Sequence, residues 1–196
     1  MSGAPRIAPG TRREIGLVNA AIAAVLGKAM GTAEPPHIFT TLGRHRGLMR
    51  GWLRFASKLM PGGKLPRADT EIVILRVAHN TGCDYERRHH EHMAPSTGLP
   101  PGAVARVADG PDAPGWSARH AALLRAADEL HADGVIGDVL WAQLATHLDE
   151  RELIELCMLV GHYEMLAMTL NSLRVAPDEI VRSRPPKFVR IAEARR

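Results

Sequence analysis

The sequence is poor in aromatic residues, which make up 4% of its 196 residues. Strands are usually filled by aromatic and β-branched side chains, so this shortage disfavours sheets, while the many Ala, Leu and Arg residues favour helices. No alternating apolar and polar stretch of useful length indicates a strand. The composition therefore predicts an all-α fold.

Cysteine is scarce too, because the chain holds only Cys83 and Cys157. Two cysteines cannot build a disulfide framework, so a reducing cytoplasm is the expected location. No segment approaches the roughly 20 uninterrupted apolar residues of a membrane span. The Ala-rich stretch 17–33 does not fit a signal peptide, since Glu14 lies in the basic region before it and Asn19 and Lys28 interrupt its apolar block. We expect a soluble cytoplasmic protein without a membrane partner.

Charge of one sign does not dominate, because 25 basic residues face 21 acidic ones and the net charge is +4. Much of the excess lies at the chain ends, in Arg12-Arg13 and in the run over residues 182–196. A nucleic-acid-binding surface would combine basic residues with stacking aromatics, and Phe188 is the only aromatic in the C-terminal run. We expect no nucleic-acid partner.

The chain is expected to form one domain over residues 1–196, with residues 1–10 as a loose tail. Thr11 and Glu14 form a capping-box pattern, which predicts a first helix from Thr11 to Met30. After Pro35-Pro36 comes a helix with one apolar face, expected to be buried, and then the chain breaks at 61–63. That face comprises Leu48, Trp52, Phe55, Ala56 and Leu59.

Helical patterns continue to the end of the predicted core. They cover residues 66–79, 83–96, 101–108, 117–131, 137–147 and 149–174. In the last of these, Cys157, Met165 and Met168 are expected in the core. His162 and Tyr163 could line a pocket, although packing is the more frequent role for such residues.

The segment around Cys83 carries the candidate chemistry. Asn80-Thr81-Gly82 predicts a helix stop and a tight turn between two antiparallel helices. Counting outward from this turn places Glu71 level with His90 or Glu91 on the facing helix, and we predict that Glu71 contacts His90. Cys83, Glu86 and His90 follow one another at i, i+3 and i+7, so they share one helix face.

This placement indicates proton chemistry. The start of a helix favours a thiolate, so Cys83 could be reactive. His90 lies roughly 10 Å farther along the helix, so Glu86 or a water must link the two groups. Glu71 can accept the other His90 proton and fix its tautomer. The alternative is an inert, packed cysteine beside solvated Glu and His side chains.

A metal site is a weaker interpretation of the same segment. His89, His90 and His92 lie near Cys83 and Glu86 in sequence. Neighbouring histidines point about 100° apart on a helix, whereas paired zinc ligands on a helix are spaced i, i+4. We expect neither a metal nor another cofactor.

At these residues the chain resembles the carboxymuconolactone decarboxylase family, whose superfamily also contains the alkylhydroperoxidase D proteins. Sites of the alkylhydroperoxidase D type use a Glu, a Cys-x-x-Cys pair and a His, which match Glu71, Cys83, Glu86 and His90. Glu86 stands in place of the second Cys. The specific match covers residues 71–98, and looser similarity covers 35–177. The resemblance implies an alkylhydroperoxidase D-like helical bundle that forms a homo-oligomer.

The resemblance also implies a peroxidase-type thiol oxidoreductase acting on a small molecule. In this hypothesis Cys83 attacks a peroxide and becomes a sulfenic acid, His90 manages the proton, Glu71 orients His90, and Glu86 bridges His90 and Cys83. Without a second Cys in the motif, the resolving partner would be Cys157, another subunit or a small thiol.

Two other functions stay open. One is an acid–base enzyme of the decarboxylase or lactone type, in which His90 and Glu71 act on a small carboxylated substrate and Cys83 is a bystander. The other is a non-catalytic helical assembly.

Overall fold

The structure is a computed structural model that describes residues 3–181. Over this range it contains ten α-helices, one 3₁₀ helix and no strand, which confirms the all-α prediction. The helices are α1 (Arg12–Ile15), α2 (Leu17–Met30), α3 (His37–Leu42), α4 (Arg46–Leu59), α5 (Arg67–Asn80), α6 (Asp84–Met93), a 3₁₀ helix (Ala94–Thr97), α7 (Ala103–Asp109), α8 (Ala118–Asp133), α9 (Asp138–Ala145) and α10 (Glu150–Leu173). The basic run over 182–196, with Phe188, lies outside the described residues.

The predicted first helix is in fact two helices. Gly16 separates α1 from α2 and has a φ of 81°, a conformation that favours glycine. Glu14 does reach back as the capping box predicts, since the Thr11 backbone N–H donates to its carboxylate over 2.8 Å. The Gly16 break was missed because the apolar pattern runs on through it.

The chain divides into two compact units, and the first comprises residues up to Gly62 together with residues from Thr169 onward. Its N-terminal segment is not the loose tail predicted. The Arg6 N–H donates to the Leu173 carbonyl, the Gly10 N–H donates to the Thr40 carbonyl, and both bonds are 3.0 Å or shorter. These hydrogen bonds attach the N-terminal segment to the rest of the first unit, although the segment forms no helix of its own.

Helix α4 buries only part of the predicted face. Of that face, Leu59 is buried, Trp52 and Ala56 are half-buried, and Leu48 and Phe55 are exposed. Met49, outside the predicted face, is buried as well. The apolar stripe is wider than the buried strip, so spacing alone did not show which edge would be covered.

The second unit comprises Gly63–Met168 and is organised around α5. Nine of the 14 residues of α5 are buried, and the helix packs against α6, α7 and α8. Ile72 and Leu75 of α5 belong to a buried cluster with Ala94, Val107 and Leu124. The polar side chains of a helix enclosed in this way need partners, because burying an unpaired charge is strongly unfavourable.

Helix α10 is the longest, with 24 residues. By length and composition alone it could cross a membrane, but 56% of its most apolar window is buried within the protein, as in the core helix of a soluble protein. Met165 and Met168 are exposed rather than in the core as predicted, and Cys157 is half-buried. The assignment of one domain with a family-like core over 35–177 stays a prediction.

Candidate functional site

The site begins at the hairpin between α5 and α6. Gly82 has a φ of 60°, and this left-handed turn lets the chain reverse after Thr81. The Cys83 N–H donates to the Ala78 carbonyl over 2.9 Å, and Cys83 is the N-cap of α6. The hairpin predicted from Asn80-Thr81-Gly82 is therefore present.

Glu71 and His90 meet across this hairpin. His90 Nδ1 lies 2.7 Å from Glu71 Oε2, and their side chains are 3% and 0% exposed, respectively. Counting outward from the turn predicted this contact. A charge-assisted hydrogen bond of this length in a buried site fixes the orientation of the imidazole ring.

Glu86 contacts the other side of the same ring. His90 Nε2 lies 3.3 Å from Glu86 Oε2, one helical turn earlier on α6. Burial lowers the pKa of His90, but the charges and hydrogen bonds of Glu71 and Glu86 outweigh burial and raise it to about 9. The ring is therefore an imidazolium at neutral pH and donates to a carboxylate from each nitrogen.

Arg67 completes the charge balance. Its guanidinium forms an ion pair with Glu71 Oε1, one turn apart on α5. Burial raises the pKa of Glu71, but the charges of His90 and Arg67 outweigh burial and lower it below its ordinary value. Arg67 was not predicted as a site residue, although its i, i+4 spacing from Glu71 on a predicted helix was a usable signal.

Tyr163 reaches the site from α10. Its ring centroid lies 5.4 Å from that of His90, with the ring planes nearly perpendicular at 84°. Burial, followed by the charges of Glu86 and Glu71, raises the pKa of Tyr163 well above its ordinary value. His162 packs edge-on against Tyr163 at 5.1 Å. From the sequence alone, Tyr163 could either line a pocket or pack in the core. Nothing near it in sequence indicates its contact with His90 of α6, about 70 residues earlier in the chain.

Cys83 is completely buried, and its protonation differs from the prediction. Burial raises the pKa of its thiol to about 11. The backbone amides of Glu86 and Tyr85 lower this pKa, while the negative charge of Glu86 raises it further. The helix start does act on Cys83 as expected, but burial and Glu86 outweigh it. The resting group is a thiol.

The other histidines of α6 have different surroundings. The His89 ring packs against Tyr85, with 4.7 Å between ring centroids. Among residues 3–181, no three His, Cys, Asp or Glu side chains are grouped so that they could hold a metal ion. The site is thus a cluster of the buried Glu71, His90 and Glu86 with the half-buried Arg67, next to Cys83 and Tyr163.

Solved structures place the fold of this chain in the alkylhydroperoxidase D-like class of helical folds. An uncharacterized peroxidase-related protein with the alkylhydroperoxidase AhpD core, from Ralstonia eutropha JMP134, superposes with a TM-score of 0.81. The match covers 95% of this chain and 100% of that one, at 16% identity. A peroxidase-related protein from Silicibacter sp. TM1040 matches at 13% identity, with a TM-score of 0.76 over 90% of this chain and 95% of that one.

The debrominase Bmp8 has the same fold. A cysteine-to-alanine variant of it, in complex with 2,3,4-tribromopyrrole, matches with a TM-score of 0.75 at 14% identity. The match covers 99% of this chain and 98% of the debrominase. No curated protein matches the sequence.

A family model matches the part of the chain that holds the site. The carboxymuconolactone decarboxylase family matches residues 46–129, a range that contains Arg67, Glu71, Cys83, Glu86 and His90. This match and the alkylhydroperoxidase D-like fold of the solved structures support the resemblance that these residues predicted.

Proposed function

We propose that the protein is a thiol oxidoreductase that reduces hydroperoxides at Cys83 and that Glu86 activates the thiol during attack. One observation carries this proposal: the buried chain Glu71–His90–Glu86 ends beside the buried cysteine. Such a chain supplies both a proton acceptor and a proton donor next to a nucleophile.

The attack step follows from the resting protonation states. The Cys83 sulfur attacks the terminal oxygen of the hydroperoxide, an S–O bond forms, and the O–O bond breaks. The Glu86 carboxylate takes the thiol proton, and the His90 imidazolium gives a proton to the departing alkoxide. Glu86 then returns its proton to His90 across their 3.3 Å contact. The products are a sulfenic acid on Cys83 and an alcohol.

Regeneration requires a reductant from outside the motif, because Glu86 stands where the second cysteine of the pair would be. We propose two equivalents of a low-molecular-weight thiol. The first displaces water and forms a mixed disulfide with Cys83, and the second releases a small disulfide and restores the thiol. Such a thiol is plentiful in a reducing cytoplasm, which is the location we propose.

The raised pKa of Cys83 favours a second candidate, an acid–base enzyme. A thiol whose pKa is about 11 is a poor resting nucleophile, whereas the His90 imidazolium and its two carboxylates can exchange protons without it. In that case the substrate would be a small carboxylated molecule or lactone, and Cys83 would only pack.

Turnover by cysteine variants separates the two candidates. Organic hydroperoxide and glutathione are supplied to the wild type, to Cys83→Ser and to the control Cys157→Ser. The thiol mechanism predicts that Cys83→Ser loses activity by about 10³-fold or more, while Cys157→Ser keeps most of it. Full activity in Cys83→Ser, on a hydroperoxide or on a brominated pyrrole of the kind bound by the debrominase, would reject thiol chemistry.

A further inference from the structure

Tyr163 of α10 carries a hydroxyl group that the reaction steps above do not use. The residue is only 5% exposed, yet its hydroxyl makes no hydrogen bond with any group of residues 3–181. The oxygen retains contact with solvent, unlike the enclosed Arg67 Nε, which also has no hydrogen-bond acceptor. Folded proteins rarely leave a polar group of a buried side chain without a partner. Beside a cluster of reactive groups, such a hydroxyl is available to a molecule that enters the site.

The hydroxyl lies next to the charged groups of the site. The Tyr163 ring stands at 84° to the ring of His90, with 5.4 Å between the two centroids. Burial and then the charge of Glu86 raise the pKa of the hydroxyl well above its ordinary value, and the charges of Glu71 and Arg67 act on it as well. These residues hold and balance the His90 imidazolium, so the hydroxyl is close to the proton donor of the reaction.

Tyr163 is suited to donate a hydrogen bond without giving up its proton. Because its pKa is raised so far, it stays a phenol at neutral pH and throughout the reaction. A phenol O–H donates to oxygen acceptors, and in a buried site the bond gains strength when negative charge develops on the acceptor. The hydroxyl can therefore stabilise a charge that forms only during the chemical step.

The charge balance of the site leaves this task to a neutral group. Arg67 and His90 supply two positive charges, while Glu71 and Glu86 supply two negative ones. Each cation already contacts a carboxylate, so neither is unpaired when a new negative charge appears. The phenol of Tyr163 is a donor of the site that has no partner to give up.

We propose that the Tyr163 hydroxyl binds the hydroperoxide and stabilises the departing alkoxide, a role that rests on the proposed thiol mechanism. It donates a hydrogen bond to the oxygen that is bonded to the alkyl group. As the Cys83 sulfur bonds to the terminal oxygen and the O–O bond breaks, negative charge collects on the alkyl-bound oxygen and strengthens this hydrogen bond. His90 protonates the alkoxide, Tyr163 keeps its own proton, and the alcohol leaves.

Tyr163→Phe removes only this hydroxyl and tests its role. Stopped-flow measurement of sulfenic acid formation at Cys83 with cumene hydroperoxide should give a rate constant about 100-fold lower, the effect of losing one donor to a developing oxyanion. The free energy of unfolding in urea should not fall, because the hydroxyl has no protein partner to lose. A rate equal to that of the wild type, or a lower stability that assigns the hydroxyl to packing, would overturn the proposal.

Alkylation of Cys83 by iodoacetamide, in a Cys157→Ser background, is the control reaction. It uses the same thiol but releases iodide, so no departing oxygen needs the phenol. Tyr163→Phe should leave the alkylation rate within about twofold of that of the background protein. An equal loss in alkylation and in sulfenic acid formation would show that Tyr163 acts on the thiol and not on the substrate, and would overturn the proposal.

The same measurements separate this proposal from the proposed function. A wild type that forms no sulfenic acid at Cys83 would overturn the thiol mechanism and the role of Tyr163 together. A wild type that reacts, beside a Tyr163→Phe protein that reacts equally fast, would overturn the role of Tyr163 alone.

Discussion

Helix α5 buries two carboxylates two residues apart, and both Asp69 and Glu71 are paired with one arginine and one histidine. Asp69 accepts a hydrogen bond of 2.7 Å from Arg119 and lies 3.2 Å from His120 Nε2. Arg119 also contacts Glu152 on α10. The Asp69 cluster thus connects three helices of the second unit, while His120 keeps part of its side chain exposed.

The Glu71 cluster uses the same residue types for a different purpose. His90 is buried and contacts a second carboxylate, Glu86, whose charge acts on Cys83. A carboxylate, an arginine and a histidine are therefore not a site by themselves. The histidine of the Glu71 cluster lies between two carboxylates, and one of these is next to a buried thiol.

Removing the Asp69 charge should produce the largest loss of stability. Asp69→Asn leaves the Arg119 guanidinium without its closest buried partner, and we expect a loss of about 3 kcal/mol in the free energy of unfolding. Urea unfolding measures it. Asp112→Asn, which alters an exposed pair with Arg125, is the control and should cost less than about 0.5 kcal/mol.

Hydroperoxide turnover per folded Asp69→Asn molecule should stay within about twofold of the wild type, because the Asp69 carboxylate pairs with Arg119 and His120 on α8. A loss of turnover larger than that would remove the distinction between the two clusters.

The two histidines should differ in activity. His90→Ala should lower hydroperoxide turnover by about 100-fold or more, since it removes the proton donor between Glu71 and Glu86. His120→Ala removes the equivalent partner of Asp69 and should change turnover by less than about threefold. Steady-state assays at pH 7 measure both, and equal losses would contradict a special role for His90.

Stability should decrease as the pH rises towards 9. The pKa of His90 is about 9 in the folded protein and near 6.5 when unfolded, so its contribution is fully present below pH 6.5 and is lost as the pH rises through 9. Urea unfolding at pH 6.5 and pH 9 measures the decrease. The decrease should be smaller in His90→Ala, and an unchanged slope in that variant would assign the effect to another group.

The smallest effect is expected on the outer face of α6. Arg87 bridges Asp84 and Glu91 in an exposed network, which combines an arginine with carboxylates as the Glu71 cluster does. Glu91→Gln should lower the free energy of unfolding by less than about 0.5 kcal/mol, because water screens these charges. A larger loss in urea unfolding would show that solvent exposure does not make this network weaker than the Glu71 cluster.

Local patterns were sufficient to predict the hairpin and its main contact. Asn80-Thr81-Gly82 located the turn, and counting from it paired Glu71 with His90. The helices from α5 onward begin and end within a few residues of their predicted bounds. These features depend on neighbours in sequence, so a single sequence contains the information.

Features that depend on tertiary packing were missed or wrong. Tyr163 enters the site from α10, which no pattern near Cys83 could indicate. The thiolate expected at Cys83 follows from the helix start alone, and the depth of burial that reverses it is set by the surrounding helices. The exposure of Met165 likewise depends on which side of α10 the rest of the chain covers.

The oxidation state of Cys83 after one turnover tests most directly whether the buried chain activates this thiol. The protein is treated with one equivalent of organic hydroperoxide, trapped with dimedone and analysed by mass spectrometry. We predict a sulfenic acid adduct at Cys83 in the wild type, with a rate of formation about 100-fold lower in Glu86→Gln. An unmodified Cys83, or an adduct that forms as fast in Glu86→Gln as in the wild type, would contradict the mechanism.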